Sequence, residues 1–561
     1  MDTGGPVTAR PAHRARLTTL AFMRSARNPL SSRVPSSRGT APARSVVPAR
    51  LVATAGLVVT LGLAGCAVGP DPGPALVPGG GNGGGPAAST TSSTPAQAPT
   101  LQKPGTDLAW GGCAGAPAAP AGVTLQCAEL DSPVNPDNPR STLTVHFTRA
   151  SVADTPADAA PLVLTAGTDM PSSRALRLLA DGPGRSLLNK HPIVAVDRRG
   201  IPDSTPLDCL TRSERVTLAD NGLTAGADTA KRITDLADAA SSASDGCTET
   251  LTPDQLQFGI TAAASDIETL RQRWNVPTLG LIGLGEGSDV AIAYTALYGG
   301  RTGRLVLDTP TPFGANARDA GAVRASGVQA ALVTFAQRCG ALGAGCPLGT
   351  AGVATMGDVL TKGRTGALGG LSDTQALAAI TTGLALAPND TAGLTSVASA
   401  IAAADNGDVK ALTDLANQAE ELRLTDGQVV SVCNDVTGPV GQNEVAGLVT
   451  AWTKQNPLTG TDTALSLVRC NGWASSEPVN PPESFPVAPL VLLNSGDPIN
   501  GGEGVKGLSP LFARAGTTPV TVDWNGLGYS VLARSTCAAD VVAQYVAHSP
   551  LEGPADRGCP A

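Results

Sequence analysis

The stretch Leu281-Ile-Gly-Leu-Gly-Glu-Gly-Ser-Asp-Val290 reads as a strand, a glycine-rich turn and a helix. When such a turn carries G-x-S-x-G, it lifts a serine out of the chain for attack on a carbonyl carbon. The glycines are needed because the turn is strained and side chains would collide. Here the central position is Gly285, so the setting is present and the attacking atom is not. A second reading is a dinucleotide loop, G-x-G-x-x-G, with Asp308 as the acid for a ribose. Ser288 in the sixth position and two earlier strands argue against it. Ser288 also starts the helix three residues past the elbow, where a serine is expected to cap rather than attack.

Acyl transfer by a serine further requires a base and an orienting acid. Downstream of residue 65 the chain has only His146, His191 and His548. His146 falls on an early strand, Thr142 to His146, His191 precedes a strand, and His548 ends the last helix. All three read as structural or surface residues. Glu286 and Asp289 place negative charge beside the turn. They could hold a cationic group such as a peptide N-terminus, but solvated or helix-N-terminal acids are the simpler reading. With no CxxC pair and so few histidines, no metal site is expected, and no cofactor is implied.

These residues must be positioned by a sheet. Pro161–Thr165, Ile193–Asp197, Leu279–Ile282, Arg304–Asp308, Pro489–Asn494 and Pro519–Asp523 are short apolar runs with helical stretches between them. Runs apolar on both faces indicate a mostly parallel, doubly wound sheet covered on both sides, an α/β fold. Helices are expected at Thr261–Trp274, Asp289–Tyr298 and Thr536–Ala547. Between 315 and 486 the strand pattern gives way to alanine- and leucine-rich helices, an insertion where a lid would sit. The expected organisation is a leader over 1–65, a Gly/Pro/Ser/Thr-rich disordered tether over 66–106, core over 107–314, helical cap over 315–486 and core again over 487–561.

In order along the chain, several segments resemble the secreted tripeptidyl-aminopeptidase-like (TAP-like) family of α/β-hydrolases. Val194-Ala-Val-Asp-Arg-Arg-Gly200 through Ser204-Thr-Pro-Leu-Asp-Cys209 is similar to its VDxRGxGxSxPxxC segment. Asp266–Arg271, Tyr298–Asp308, Val432-Cys-Asn-Asp435 and Cys470-Asn-Gly-Trp473 resemble its further motifs, and Cys537–Cys559 its C-terminal disulfide segment. The resemblance implies the α/β-hydrolase fold and serine-hydrolase chemistry in the chain order Ser, Asp, His. Carried over, the acid position is Asp497, the nucleophile position is Gly285, and the base position is Leu527 in Gly526-Leu-Gly528. The oxyanion turn becomes Ala166-Gly167-Thr168-Asp169, and an acid at 169 would oppose a developing oxyanion. Three of the four functional parts are lost.

The N-terminus gives the compartment. Nine arginines and no acid lie between Arg10 and Arg50, followed by the apolar run Leu51–Gly65 and Leu63-Ala-Gly-Cys66. This is a secretion signal ending in a lipobox, so Cys66 is expected to carry lipid on the outer face of the membrane. Ten further cysteines, Cys113, Cys127, Cys209, Cys247, Cys339, Cys346, Cys433, Cys470, Cys537 and Cys559, suit disulfides in an exported chain. Spacing does not fix their pairing, although pairing of neighbours would give five small loops. With aromatic residues at 3%, the core must be built mainly from Ala, Val and Leu, a bias that points to a high-G+C Gram-positive source. The net charge of −8 argues against a nucleic-acid partner. A monomer is expected, touching the membrane through its lipid, with peptides or a small envelope ligand as the candidate partners. Three readings follow: a non-catalytic hydrolase relative that binds or scaffolds, an active aminopeptidase or esterase with an unrecognised site, and a purely structural envelope protein.

Overall fold

In the computed structural model the described residues are 98–561, apart from 169, 223–227 and 424. The leader, Cys66 and most of the tether lie outside them. Their sheet has nine strands: β1 (Val123–Pro133), β2 (Thr142–Val152), β3 (Leu162–Ala166), β4 (Ile193–Val196), β5 (Leu279–Leu284), β6 (Thr302–Asp308), β7 (Leu490–Leu493), β8 (Val520–Trp524) and β9 (Asp556–Cys559). The spatial order is β1-β2-β4-β3-β5-β6-β7-β8-β9. β2 is antiparallel to both β1 and β4, and every other pairing is parallel. This is the α/β-hydrolase arrangement. Every residue of β3, β4, β5 and β6 is buried, which is why these strands appear as unbroken apolar runs in the sequence.

The edges were harder to read. β1 is half exposed and alternating, and β9 follows the strand expected to be last; Cys537–Cys559 fastens it beside β8. The tether also ends earlier than expected. The Gly105 amide donates to the Trp274 carbonyl, and the buried Arg304 guanidinium takes the Pro99 carbonyl, so residues 98–106 are part of the folded body.

Five helices accompany the first half of the sheet: α1 (Ser172–Asp181), α2 (Arg212–Ala219), α3 (Thr229–Leu251), α4 (Ile260–Trp274) and α5 (Gly287–Tyr298). Between β6 and β7 come eight more: α6 (Ala317–Gly340), α7 (Gly352–Thr365), α8 (Asp373–Leu386), α9 (Thr391–Asp405), α10 (Lys410–Arg423), α11 (Asp426–Asp435), α12 (Gln442–Gln455) and α13 (Gly460–Ser466). Two close the chain, α14 (Val505–Arg514) and α15 (Thr536–Ala547). No described helix is long and apolar enough to cross a membrane. All five disulfides join sequence neighbours: Cys113–Cys127, Cys209–Cys247, Cys339–Cys346, Cys433–Cys470 and Cys537–Cys559.

The segment that resembled a family signature proves to be scaffold. Arg199 is fully buried and makes a two-pronged pair with Asp266 at 2.9 and 2.5 Å. Its remaining donors reach the carbonyls of Pro133, Val134 and Gln257, so no charge is left unsatisfied.

The helical cap is latched to the core at both ends of α11. Asp426, at its start, accepts from the amides of Cys209 and Leu210 at 2.7 and 2.8 Å and from Arg215. Asp435, at its end, accepts from the Ile260 amide that opens α4. Removing the Asp426 carboxylate leaves the amides of the half-buried Cys209 and the buried Leu210 without their acceptor, and Arg215 with Asp208 alone. Asp426→Ala is therefore expected to cost about 3 kcal/mol in urea unfolding and to speed proteolysis within 315–486; unchanged stability would show that this latch carries no load.

Candidate functional site

The β5–α5 turn keeps the geometry of a nucleophile elbow. Gly285 has φ +53°, the left-handed conformation that a serine in this place must tolerate. Its neighbours explain the glycines around it. A Cβ at Gly283 would come 2.6 Å from the Ser288 Cα, and one at Gly287 would come 2.0 Å from the Thr165 carbonyl oxygen of β3. Strand, turn and helix fit only if both positions stay bare.

The space that a side chain at 285 would enter is occupied. A Cβ there would stand 2.6 Å from Nδ2 and 2.9 Å from Cγ of Asn500. Asn500 donates through the same Nδ2 to Oδ2 of Asp497 at 3.0 Å. Asp497 is fully buried, and its Oδ1 accepts from the amides of Ile499 and Asn500 at 2.8 and 3.1 Å. An amide therefore bridges the acid position and the nucleophile position, where a triad would have an imidazole. A carboxamide does not take up a proton near neutral pH, so the bridge cannot act as a general base. Asn500 escaped the sequence reading, although its place three residues after Asp497 was the available signal.

Leu527 has left the site for the cap. It is 7% exposed and belongs to the apolar cluster that contains Leu332, Phe335, Leu377 and Ile380. Two arginines hold the same turn: Arg338 of α6 donates to the Asn525 carbonyl, and Arg534 donates to the carbonyls of Ala385 and Ala387 where α8 ends. Burial brings the Arg534 guanidinium down to about 10, with Asp497 acting in the opposite sense. The turn at Leu527 is a joint between core and cap.

The oxyanion turn is also filled, by a residue other than the expected one. Oε2 of Glu286 accepts from the Thr168 amide at 3.0 Å and from the Thr168 hydroxyl at 2.7 Å. A Cβ at Gly167 would lie 2.2 Å from the Glu286 Cβ, so Gly167 is what lets this carboxylate in. Asp169 lies outside the described residues. Glu286 is thus half-buried and engaged with Thr168 rather than solvated, and it stands at the N-terminus of α5 as the helix-N-terminal reading expects. Gln428 of α11 donates to the Thr168 carbonyl at 3.1 Å and closes the turn from the cap side.

Asp289 faces inward as well. Thr311 donates to its Oδ2 at 2.8 Å, while its Oδ1 is enclosed without a partner. Ser288 does not cap α5; its buried hydroxyl donates to the Gly283 carbonyl at 3.0 Å, away from the site. His191 points Nδ1 at the Ala160 carbonyl, and His548 closes α15. Beside the site, a cavity of about 160 Å³ lies between the cap and the loop after Asp497, lined by Arg324, Thr374, Glu420, Gln428, Asp462 and Ile499 among others.

Three buried carboxyls beneath the turn share one direction of shift. Burial holds Asp289 up at about 7, with Thr311 pulling back and the charges of Glu286 and Asp435 adding to the rise. Burial likewise raises Asp308 to about 6 against donors from Ser530, Leu532 and Val531, and raises Asp497 against its own donors. The folded chain favours the neutral acids, so this contribution is complete below the unfolded carboxylate pKa and is lost as pH rises through 6 to 7. The thermal midpoint should accordingly climb from about pH 8 to about pH 5, and Asp289→Asn should flatten the climb. A midpoint that falls over that window, or an unchanged slope in the variant, would contradict the assignment.

Residues 456–559, which include Asp497, Asn500 and Leu527, match the model of the family described as TAP-like protein. No curated protein matches the chain. Among solved structures it is similar to esterase E22, at 14% identity over 76% of this chain and 100% of that one, with a TM-score of 0.35. It is also similar to the esterase RhEst1 from Rhodococcus sp. ECU1013, at 13% identity over 72% and 95%, with a TM-score of 0.33. The chain is an α/β-hydrolase-fold protein whose C-terminal part is a TAP-like domain.

Proposed function

We propose that this chain is a non-catalytic TAP-like α/β-hydrolase that binds or scaffolds at the cell envelope. The observation that carries the reading is the double occupation of the site: the Asn500 amide stands beside Gly285 and Asp497, and the Glu286 carboxylate takes the Thr168 donors. A carboxylate there repels the negative charge that acyl transfer develops, in the place where its stabilisation matters most. The active-hydrolase alternative would need Ser288, whose hydroxyl is committed to the Gly283 carbonyl. A ligand has room in the cavity under the cap, whose lining carries both signs of charge and several hydroxyls and amides, suited to a small polar molecule or short peptide. Export is supported by five disulfides, and lipid attachment at Cys66 by the lipobox.

Two experiments test this reading. The wild-type chain should resist a fluorophosphonate probe and leave aminoacyl and simple esters untouched; labelling at Ser288 would overturn the proposal. The Gly285→Ser, Leu527→His pair should stay silent because Asn500 and Glu286 still fill the site. Adding Asn500→Ala and Glu286→Ala should then raise esterase turnover by about 10²-fold over the pair. Equal activity in the two-site and four-site variants would mean that the occupying side chains are no obstacle. Separately, Cys66→Ala should move the protein from the membrane fraction to the medium, and retention on the membrane would refute the lipid anchor.

A further inference from the structure

Three strands along the sheet from the elbow, a second constellation lies where β2 passes the end of β4. The β2–β4 ladder continues to His146 and Asp197, with the Asp197 amide donating to the His146 carbonyl at 3.1 Å. Their side chains meet at 3.1 Å between Nδ1 and Oδ2. Asp203 joins them from the following loop, and the ligand-capable atoms of the three residues all lie within 4.8 Å of one another.

Two hydroxyls fix the loop that carries Asp203. Ser204, fully buried, accepts from the His146 amide and donates to the Asp197 carbonyl; Thr205 does the same with the amide and carbonyl of Thr144. Asp197 spends its other oxygen on the Ser173 amide, which sets the carboxylate plane. Glu129, cross-strand from His146, adds a further negative charge. Among the described residues no lysine or arginine forms an ion pair with Asp203 or Asp197.

We propose that His146, Asp197 and Asp203 bind one divalent transition-metal ion of the zinc class. An imidazole with two carboxylates is a borderline donor set that suits zinc better than magnesium or calcium. Ligand atoms at about 2.0–2.1 Å from a tetrahedral ion stand about 3.4 Å apart. The His146–Asp197 pair, hydrogen-bonded at 3.1 Å, has to open only slightly and give up that bond to the ion, the exposed Asp203 side chain has to swing inward, and water can fill the fourth place. The absence of a site expected from the sequence rested on cysteine and histidine spacing, and this set needs a single histidine. At about 4.8 Å per strand the ion would sit about 14 Å from the elbow, as a clamp between β2 and the β4 loop.

The test uses the full chain, purified without an affinity tag and stripped with chelator. Titration with zinc chloride should give one ion per chain and a higher thermal midpoint, and cobalt(II) should develop visible d–d bands without thiolate charge transfer. Asp203→Asn, an exposed change, should weaken binding at least about 10-fold with the metal-free midpoint unchanged; His146→Gln should weaken binding as much and also lower the metal-free midpoint, because it removes a partner of the buried Asp197. No binding up to about 1 mM ion, or binding that Asp203→Asn leaves intact, would overturn the proposal.

Discussion

Strand β5 and helix α5 can meet at the Gly283–Gly287 turn only because two positions lack a Cβ and a third adopts a left-handed backbone. The contact with β3 at the Thr165 carbonyl sets how closely α5 lies on the sheet. The ends of β3 and β5 therefore stand side by side, and the loops that follow them share one space. Everything that fills the site depends on this closeness. Glu286 reaches Thr168 because one residue leaves the β5 turn and the other leaves β3.

The space beside Gly285 and Asp497 is filled. A missing serine hydroxyl and imidazole would have stranded the Asp497 carboxylate in a dry interior, which is costly for an uncompensated charge. Asn500 supplies a donor, the backbone of the same loop supplies two more, and burial pushes the carboxyl toward its neutral form. The oxyanion donors of Thr168 met the same problem from the other side, and the Glu286 carboxylate satisfies them. Asp497 and Thr168 are thus both held by internal hydrogen bonds.

The cap follows the same logic. A lid over a working site must open, so it is held by few bonds. Here α11 is fastened at both ends through Asp426 and Asp435, Leu527 sits in the cap's apolar cluster, and Arg534 holds the carbonyls that end α8. Guanidinium donors suit those carbonyls because a helix C-terminus carries partial negative charge. Leu527 works as packing, and the neighbouring cavity lies beside this joint.

The sequence by itself determined the class of fold, the central strands and the glycine-rich turn between β5 and α5. Those features are local: unbroken apolar runs report strands buried on both faces, and a glycine pattern reports a turn that excludes Cβ atoms. It could not pair the cysteines, and it underread the half-exposed β1 and the short β9, whose burial comes from neighbours distant in sequence. Tertiary structure alone decided what stands in the site. Asn500 and Gly285 are 215 residues apart, and Glu286 and Thr168 are separated by 118. Their contacts exist only after the sheet has brought three loops to one edge. Side-chain occupancy of a shared space is a property of that assembled edge, which no local pattern of residues encodes.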